Sequence, residues 1–251
     1  MRKLILHIPH SSSKIPDKKG FVINNNLIEA ELNKLTDWYT DELFDSPDDI
    51  TIKADFSRIF CDPERFSDDS QEIMSEYGMG VLYSKTDTGL TMRNIDTNLR
   101  NQILEDYYFP HHDRLNKAVK EQLDKFGYAL IVDCHSFSDI PFLRDVNKSP
   151  NRPDINIGTD EFHTPNLIKD FSISYFETKG LTVGLDWPYS GTIVPEEYYQ
   201  RNSNVNSIMI EVNRKLYLKP ESIEKNDNFN LLKNTLSDYL TKLKLLSSVQ
   251  P

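Results

Sequence analysis

The sequence predicts an α/β fold, a three-layer α/β/α sandwich around a mixed, mostly parallel sheet. Short β-branched apolar runs, of which 129–132 is the most distinct, indicate strands that are buried on both faces. Segments with helical spacing of apolar residues separate these runs, and strands that alternate with helices are typical of parallel sheets. The 251 residues can bury one sizeable core, so we expect a single domain over 1–251.

The predicted elements follow in chain order. Strands are predicted at 4–8, 50–54, 78–83 (a turn and short strand), 129–132, 181–185 and 207–214. Helices are predicted at 27–44, 95–126 and 221–246, with a break or kink at Pro110, because proline lacks the N–H that an interior helical turn needs. The polar segment 138–162 is too long for a routine connection, so we interpret it as a functional loop.

Composition excludes several classes of function. The chain has 29 basic and 39 acidic side chains, a net charge of −10, and no basic block, so neither nucleic acid nor an anionic membrane is an expected partner. Two cysteines, Cys61 and Cys134, make no disulfide framework, and Cys134 is expected to be a reduced, buried thiol. The first apolar run is too short for a signal peptide, and no run reaches the length of a membrane span. We therefore expect a soluble cytoplasmic protein; the sequence gives no oligomeric state.

Polar side chains follow the predicted strands at their carboxyl ends, where open α/β sheets bind ligands. His135 directly follows the central apolar run, His7 and His10 accompany the first strand, and Glu211 the last. Two histidines and one carboxylate with an open fourth position are the usual catalytic zinc ligands, and a further carboxylate would be the general base. The alternative is that these histidines end strands, hydrogen-bond loops or cap a helix.

Two acidic residues could support such a site. Asp37 lies on the first predicted helix, four residues from Asp41 on the same face. Asp133 lies two residues before His135, on the same side of an extended strand, and could accept a hydrogen bond from its imidazole. Two other histidine segments receive a structural interpretation. We expect His111-His112 to pack or face solvent and His163 to lie on the surface.

Several motifs, in order and spread over nearly the whole chain up to about Tyr217, resemble the N-formylglutamate amidohydrolase family. They are His7-Ile-Pro-His10-Ser-Ser, Thr36-Asp37-Trp38-Tyr39, Ser57-Arg58, Asp62-Pro-Glu64-Arg65-Phe66, Gly78-Met-Gly80-Val-Leu-Tyr83, Asp133-Cys-His135-Ser136, Asp154-Ile-Asn-Ile-Gly158-Thr159, Pro188-Tyr189-Ser190-Gly191-Thr192 and Glu211-Val-Asn213-Arg214. The resemblance implies a fold akin to zinc carboxypeptidases and related hydrolases, and one bound zinc ion.

The resemblance also implies roles for individual residues. His10 and His135 would bind the metal, Glu211 would be the general base, and Tyr189, with Ser190 and Gly191, would lie on a mobile loop near the substrate. The wider group has a glutamate ligand three residues after the first histidine, where this chain has Ser13. The third ligand must therefore come from elsewhere, and we predict Asp37, with Glu64 and Asp133 as alternatives.

The implied reaction is zinc-dependent hydrolysis of the N-acyl bond of an acylated acidic amino acid, with N-formyl-L-glutamate as substrate. Because this substrate carries two carboxylates, guanidinium groups that bind carboxylates bidentately are expected in the site. The candidates are Arg58, Arg65, Arg93 and Arg214, with Asn213 as a further substrate contact. Two alternatives stay open: a metallo-carboxypeptidase or deacylase with another acyl-amino acid or peptide as substrate, and a metal-free binding module on the same fold.

Overall fold

A computed structural model describes residues 2–248. The strands are β1 (Ile5–Ile8), β2 (Ile50–Lys53), β3 (Ala129–Phe137), β4 (Ile155–Gly158), β5 (Val183–Leu185) and β6 (Val205–Asn213). The helices are α1 (Asn25–Leu35), α2 (Thr40–Leu43), α3 (Thr97–Ile103), α4 (Phe109–Phe126), α5 (Asn166–Thr178) and α6 (Phe229–Ser248).

The strands form one six-stranded sheet in the order β2-β1-β3-β6-β4-β5. Among these pairings, β4 with β6 is antiparallel and the others are parallel, which confirms the predicted mixed, mostly parallel sheet. The two longest strands, β3 and β6, pair side by side and are buried along their whole length. Their carboxyl ends therefore lie next to each other in the interior.

Alternation along the strands decides which side chains face the site. Leu130 and Val132 of β3 pack in the apolar cluster that contains residues of α5 and α6. Ala129 and Ile131 pack on the opposite face with residues of α4. Because successive strand residues point to opposite faces, the odd-numbered residues at the end of β3 also project towards the α4 side. Helices on both faces confirm the predicted α/β/α sandwich.

The predicted helix at 27–44 is wrong as a single element, and the break positions a functional residue. Helix α1 ends before Thr36, which is extended, and α2 begins after Tyr39, which has a left-handed φ of 63°. Between them the backbone N–H of Asp37 donates to the carbonyl of His10 at 2.9 Å. This tertiary hydrogen bond replaces helix continuation and ties Asp37 to the end of β1.

Other boundaries also differ from the prediction. No strand forms at 78–83, where the described backbone makes only an isolated bridge between Met79 and Tyr83 after left-handed Gly78. The C-terminal helix begins at Phe229 rather than 221, because Glu221 is left-handed and Leu218 bridges to Lys225. The long polar loop contains β4, and α5 was not predicted at all. The interruption near Pro110 is a π-helical turn at Leu104–Tyr108, and the proline fits the first turn of α4.

Within residues 2–248, no helix combines the length and the apolar character needed to cross a bilayer.

Candidate active site

Three predicted ligand residues converge at the carboxyl ends of β1 and β3. His10 follows β1, Asp37 lies in the break between α1 and α2, and His135 lies in β3. Asp37 Oδ2 is 3.7 Å from His10 Nδ1 and 3.2 Å from His135 Nδ1. All three side chains are buried, and one ligand atom from each lies within 4.8 Å of the others. We call these residues the metal group.

The hydrogen bonds around the metal group fit a bound cation. His10 Nε2 lies 2.7 Å from Asp62 Oδ1, and His135 Nε2 lies 3.1 Å from Asp133 Oδ1. A carboxylate that accepts the Nε2–H of a histidine leaves the Nδ1 lone pair free for a metal. His10 Nδ1 is buried without a hydrogen-bond partner. An orphaned imidazole nitrogen beside a carboxylate is costly unless an ion binds there.

Arg214 binds the Asp37 oxygen that does not face the two histidines. Its Nη2 donates to Asp37 Oδ1 at 2.9 Å, and its Nε donates to Ser136 Oγ at 3.2 Å. Burial opposes ionisation of Asp37, but the neighbouring imidazoles of His10 and His135 and the charge of Arg214 keep the pKa of this carboxyl below its ordinary range. The prediction that Arg214 binds substrate is therefore not supported. This guanidinium is engaged by the protein and orients Asp37.

Glu211 lies beside the metal group because β6 pairs with β3 in register, with Glu211 opposite His135. Its side chain is 7% exposed, and Oε2 is buried without a hydrogen-bond partner. Burial, helped by the negative charge of Asp37, raises the pKa of Glu211 to about 8 against the opposing charges of His135, Arg58 and Arg214. A buried carboxyl poised near neutral pH is suited to accept and release a proton.

Two of the predicted substrate arginines, Arg58 and Arg65, lie next to the buried Asp62. Asp62 is fully buried and accepts hydrogen bonds from Arg58 Nη2 at 3.0 Å and Tyr83 Oη at 2.8 Å. Arg65 Nε lies 3.9 Å from the same carboxylate and has no hydrogen-bond partner. Both arginine side chains are partly exposed, at 17% and 23%. Arg65 Nε also lies 4.0 Å from Glu72 Oε1, so the two guanidinium groups face two buried carboxylates. Their partly exposed edges can contact an anionic ligand.

The loop after β5 carries Tyr189. Tyr189 Oη lies 3.1 Å from Arg152 Nη1 and 3.3 Å from Asp145 Oδ2, so the long 138–153 segment and the tyrosine loop are joined. The charge of Glu211 contributes to a raised pKa of Tyr189, after burial and Asp145, which places the two side chains within electrostatic reach. A Cβ atom at Gly158 of β4 would lie too close to the carbonyl oxygen of Gly191, so this close approach requires glycine.

Two other predicted substrate residues are used inside the fold. Arg93 is 1% exposed, donates to the carbonyls of Phe60 and Lys19, and stacks against Phe21 and Phe60. Asn213 donates from Nδ2 to the carbonyl of Pro153 and accepts from the N–H of Lys215. Both substrate assignments lack structural support, because these polar groups bind backbone atoms of neighbouring loops instead.

Asp62 and Arg152 are functional neighbours that the sequence patterns did not predict. Asp62 was visible in the motif that contains Glu64 and Arg65, but only the fold brings it to His10. Arg152 lies within the predicted functional loop, and its side chain is fully buried against Asp145 at 2.7 Å. The sequence therefore predicted that the 138–162 loop is functional but did not predict that Arg152 anchors it.

The two alternative third ligands lie on the far side of His135. Glu64 Oε2 is 3.3 Å and Asp133 Oδ1 is 3.1 Å from His135 Nε2, whereas Asp37 faces Nδ1. His7 lies next to both acids. Its burial is outweighed by the hydrogen bond to Asp133 and by the negative charges of Asp133 and Glu64, which raise the pKa of His7 to about 9.

Two further histidines are buried. Of the two positions expected for His111, packing is the one observed: it is 1% exposed, and its Nε2 lies 2.9 Å from His7 Nε2. The predicted surface position of His163 is wrong, because this side chain is fully buried between the carbonyl of Val205 and the N–H of Gln200. Both contacts join residues that are far apart in sequence.

Known proteins resemble the chain over most of its length. A profile of the N-formylglutamate amidohydrolase family matches residues 2–218. A relative from Pseudomonas putida named N-formylglutamate deformylase is 25% identical over 237 residues, covering 86% of this chain and 82% of the relative. A protein of the same name from Pseudomonas aeruginosa is 24% identical over 239 residues, covering 87% of this chain and 83% of that protein.

Solved structures agree on the fold. The crystal structure of N-formylglutamate amidohydrolase from Ralstonia eutropha JMP134 superposes with a TM-score of 0.82 at 24% identity, covering 98% of this chain and 93% of that one. A gene product from Agrobacterium tumefaciens superposes with a TM-score of 0.66 at 19% identity, covering 98% of this chain and 90% of that one.

Proposed function

Because the chain belongs to the N-formylglutamate amidohydrolase family, we propose that it hydrolyses N-formyl-L-glutamate to formate and L-glutamate, using one bound divalent metal ion. The observation that carries the proposal is the meeting of His10, Asp37 and His135 beside Glu211, with His10 Nδ1 lacking a partner. The names of the curated relatives support the same substrate.

His10 Nδ1, Asp37 Oδ2 and His135 Nδ1 would hold the ion. Two imidazoles and a carboxylate with an open position favour zinc over hard cations such as magnesium. When bound, zinc polarises the formyl carbonyl and lowers the pKa of water. Arg214 keeps Asp37 oriented, and Asp62 and Asp133 keep the two imidazoles in the ligating tautomer.

Glu211 handles the proton. Its carboxylate accepts a proton from the attacking water and passes it to the departing amine nitrogen of glutamate. Burial of the side chain without a fixed partner for Oε2 leaves this oxygen available for the water. A raised pKa makes the protonated form accessible for the second half of the transfer.

Arg58 and Arg65 bind the carboxylates of the substrate. Arg58 pairs with Asp62, and Arg65 lies near both Asp62 and Glu72, but both guanidinium groups remain partly exposed. A charge-assisted, bidentate pair with each guanidinium would select dicarboxylates over neutral acyl-amino acids. Tyr189, held by Arg152, would lie near the bound substrate with Ser190 and Gly191 and help exclude water. Cytoplasmic location is part of the proposal, supported by the two free cysteines.

The test is a hydrolysis screen on purified protein, before and after chelation and after return of zinc. The panel contains the N-formyl, N-acetyl and N-succinyl derivatives of glutamate and a glutamyl dipeptide. We expect formate release from N-formyl-L-glutamate to be fastest, to disappear on chelation and to return with zinc. Faster cleavage of the dipeptide would favour a carboxypeptidase. Absence of turnover in zinc-loaded protein would favour a binding module.

A further inference from the structure

A second group of ligand-type side chains lies on the opposite side of His135 from the metal group. It consists of His7 from β1, Glu64 from the loop after β2 and Asp133 from β3. His7 Nδ1 is 2.8 Å from Asp133 Oδ1 and 3.2 Å from Glu64 Oε1. One ligand atom from each residue lies within 4.8 Å of the others. We call these three residues the His7 group.

Hydrogen bonding alone does not satisfy the His7 group. His7 Nδ1 carries at most one proton, which is directed to Asp133. Glu64 Oε1 is buried and has no hydrogen-bond partner, although it is close to the same nitrogen. His7 and Asp133 are fully buried, and the Glu64 side chain is 16% exposed. Asp133 also accepts hydrogen bonds from His135 Nε2 and the Ile193 N–H, so the unsatisfied atom of the group is Glu64 Oε1.

We propose that the His7 group is a second divalent-cation site, separate from the metal group. Metal–ligand bonds of about 2.0–2.2 Å in a tetrahedral site put neighbouring ligand atoms roughly 3.3–3.6 Å apart. The separations of 2.8 and 3.2 Å need only small outward movements to reach this range. On binding, the proton on His7 Nδ1 passes to solvent and its lone pair goes to the cation. The two positive charges of the cation then balance the two carboxylates.

The surroundings of His7 suit a metal ligand. His111 Nε2 lies 2.9 Å from His7 Nε2, and Arg114 Nη2 lies 3.4 Å from His111 Nδ1. On cation binding, His111 would accept the His7 Nε2 proton and carry its own proton on Nδ1 in place of the contact from Arg114, which leaves His7 Nδ1 free for the cation. An imidazole nitrogen among carboxylate oxygens suits zinc or iron more than calcium or magnesium. The ligands come from β1, β3 and the loop after β2, so a cation here would join three segments around the metal group. The inference does not depend on which substrate the enzyme hydrolyses.

The test counts zinc in the intact chain. Protein is stripped with a chelator, dialysed against Zn²⁺, freed of loose ions and analysed by inductively coupled plasma mass spectrometry. We expect two zinc ions per wild-type chain, one in His7→Gln, one in Asp37→Asn and none in the double variant. His112→Gln changes a neighbouring histidine that is in neither group and should retain two. Anomalous scattering at the zinc edge should place the second ion between His7 and Glu64.

One zinc per wild-type chain would overturn the inference, as would two ions that survive His7→Gln. If that variant fails to fold by circular dichroism, Glu64→Gln, which preserves side-chain size, gives the same comparison. Failure of the proposed function gives a different result. In that case N-formyl-L-glutamate is not hydrolysed by the two-zinc protein, while His7→Gln still loses one ion.

Discussion

Arg214 and Asp37 form the ion pair that orients the metal group: Arg214 Nη2 donates to Asp37 Oδ1 at 2.9 Å, while Asp37 Oδ2 faces both histidines. The arginine follows Glu211 by three residues on the same segment, and Asp37 lies more than 170 positions earlier. The pair therefore couples the end of β6 to the break between α1 and α2. A carboxylate fixed through one oxygen presents the other in a single direction.

This ion pair predicts weaker metal binding when it is lost. Arg214→Leu should lower zinc affinity by about 10–100-fold, the usual effect of removing an outer partner of a metal ligand. Competition with a chromophoric chelator measures this affinity. Lys215→Leu is the matched control, because Lys215 pairs with Asp154 at a partly exposed position. Equal affinities in wild type and Arg214→Leu would show that Asp37 needs no such support.

Arg58 and Arg65 predict a charge-dependent change in KM. Replacing either by Leu should raise KM for N-formyl-L-glutamate by about 10-fold or more, since a charged hydrogen-bonded pair contributes about 1.5–3 kcal/mol. KM for N-formyl-L-alanine should change much less. Arg201→Leu, at an exposed position, serves as the control. If KM rises equally for both substrates, the arginine has a structural role through its pair with Asp62 and does not bind the substrate carboxylates.

The raised pKa of Glu211 predicts a pH-dependent stability in chelated protein. The folded state holds this proton more tightly than the unfolded state, from the ordinary value of 4.5 up to about 8. Its stabilising contribution is therefore full below about pH 4.5 and is lost as pH rises through 8. Between pH 5 and 8.5 the free energy of unfolding should fall a few kcal/mol more in wild type than in Glu211→Gln. Urea titrations at both pH values measure it; parallel losses would contradict the assignment.

Both thiols should be unreactive in the folded protein. Burial raises the pKa of Cys61 and of Cys134 above their ordinary value, so neither forms the reactive thiolate near neutral pH. Iodoacetamide at pH 8 should leave both unmodified in native protein and label both in urea, as measured by mass spectrometry. Rapid labelling of native Cys134 would show that the end of β3 opens to solvent.

Sequence patterns predicted the sheet well because its strands are short apolar runs. The same reasoning placed His10, His135 and Glu211 at strand ends, where the fold puts them. It failed where a tertiary contact overrides a local pattern. The break at Thr36 depends on the hydrogen bond from Asp37 to the His10 carbonyl, and helical periodicity does not register such a bond.

Sequence patterns also could not predict which side chains of distant segments contact each other. Arg214 was expected to bind substrate, but its partner Asp37 is revealed only when β6 and the α1–α2 break meet. His111 was expected to pack or to face solvent, and its pattern did not show that it meets His7 of β1. Periodicity identifies which face of a helix is apolar. It does not say which polar group on that face meets a buried partner.

The central claim of the proposed mechanism is that Glu211 is the general base. The decisive measurement is kcat for N-formyl-L-glutamate with Glu211→Gln, combined with a zinc count on the same sample. Because glutamine preserves size and cannot accept the proton, we expect kcat to fall by about 10²–10⁴-fold while zinc at the metal group stays bound. Near-normal kcat in the zinc-loaded variant would contradict the account and move the proton transfer to another carboxylate, with Glu64 the first to test.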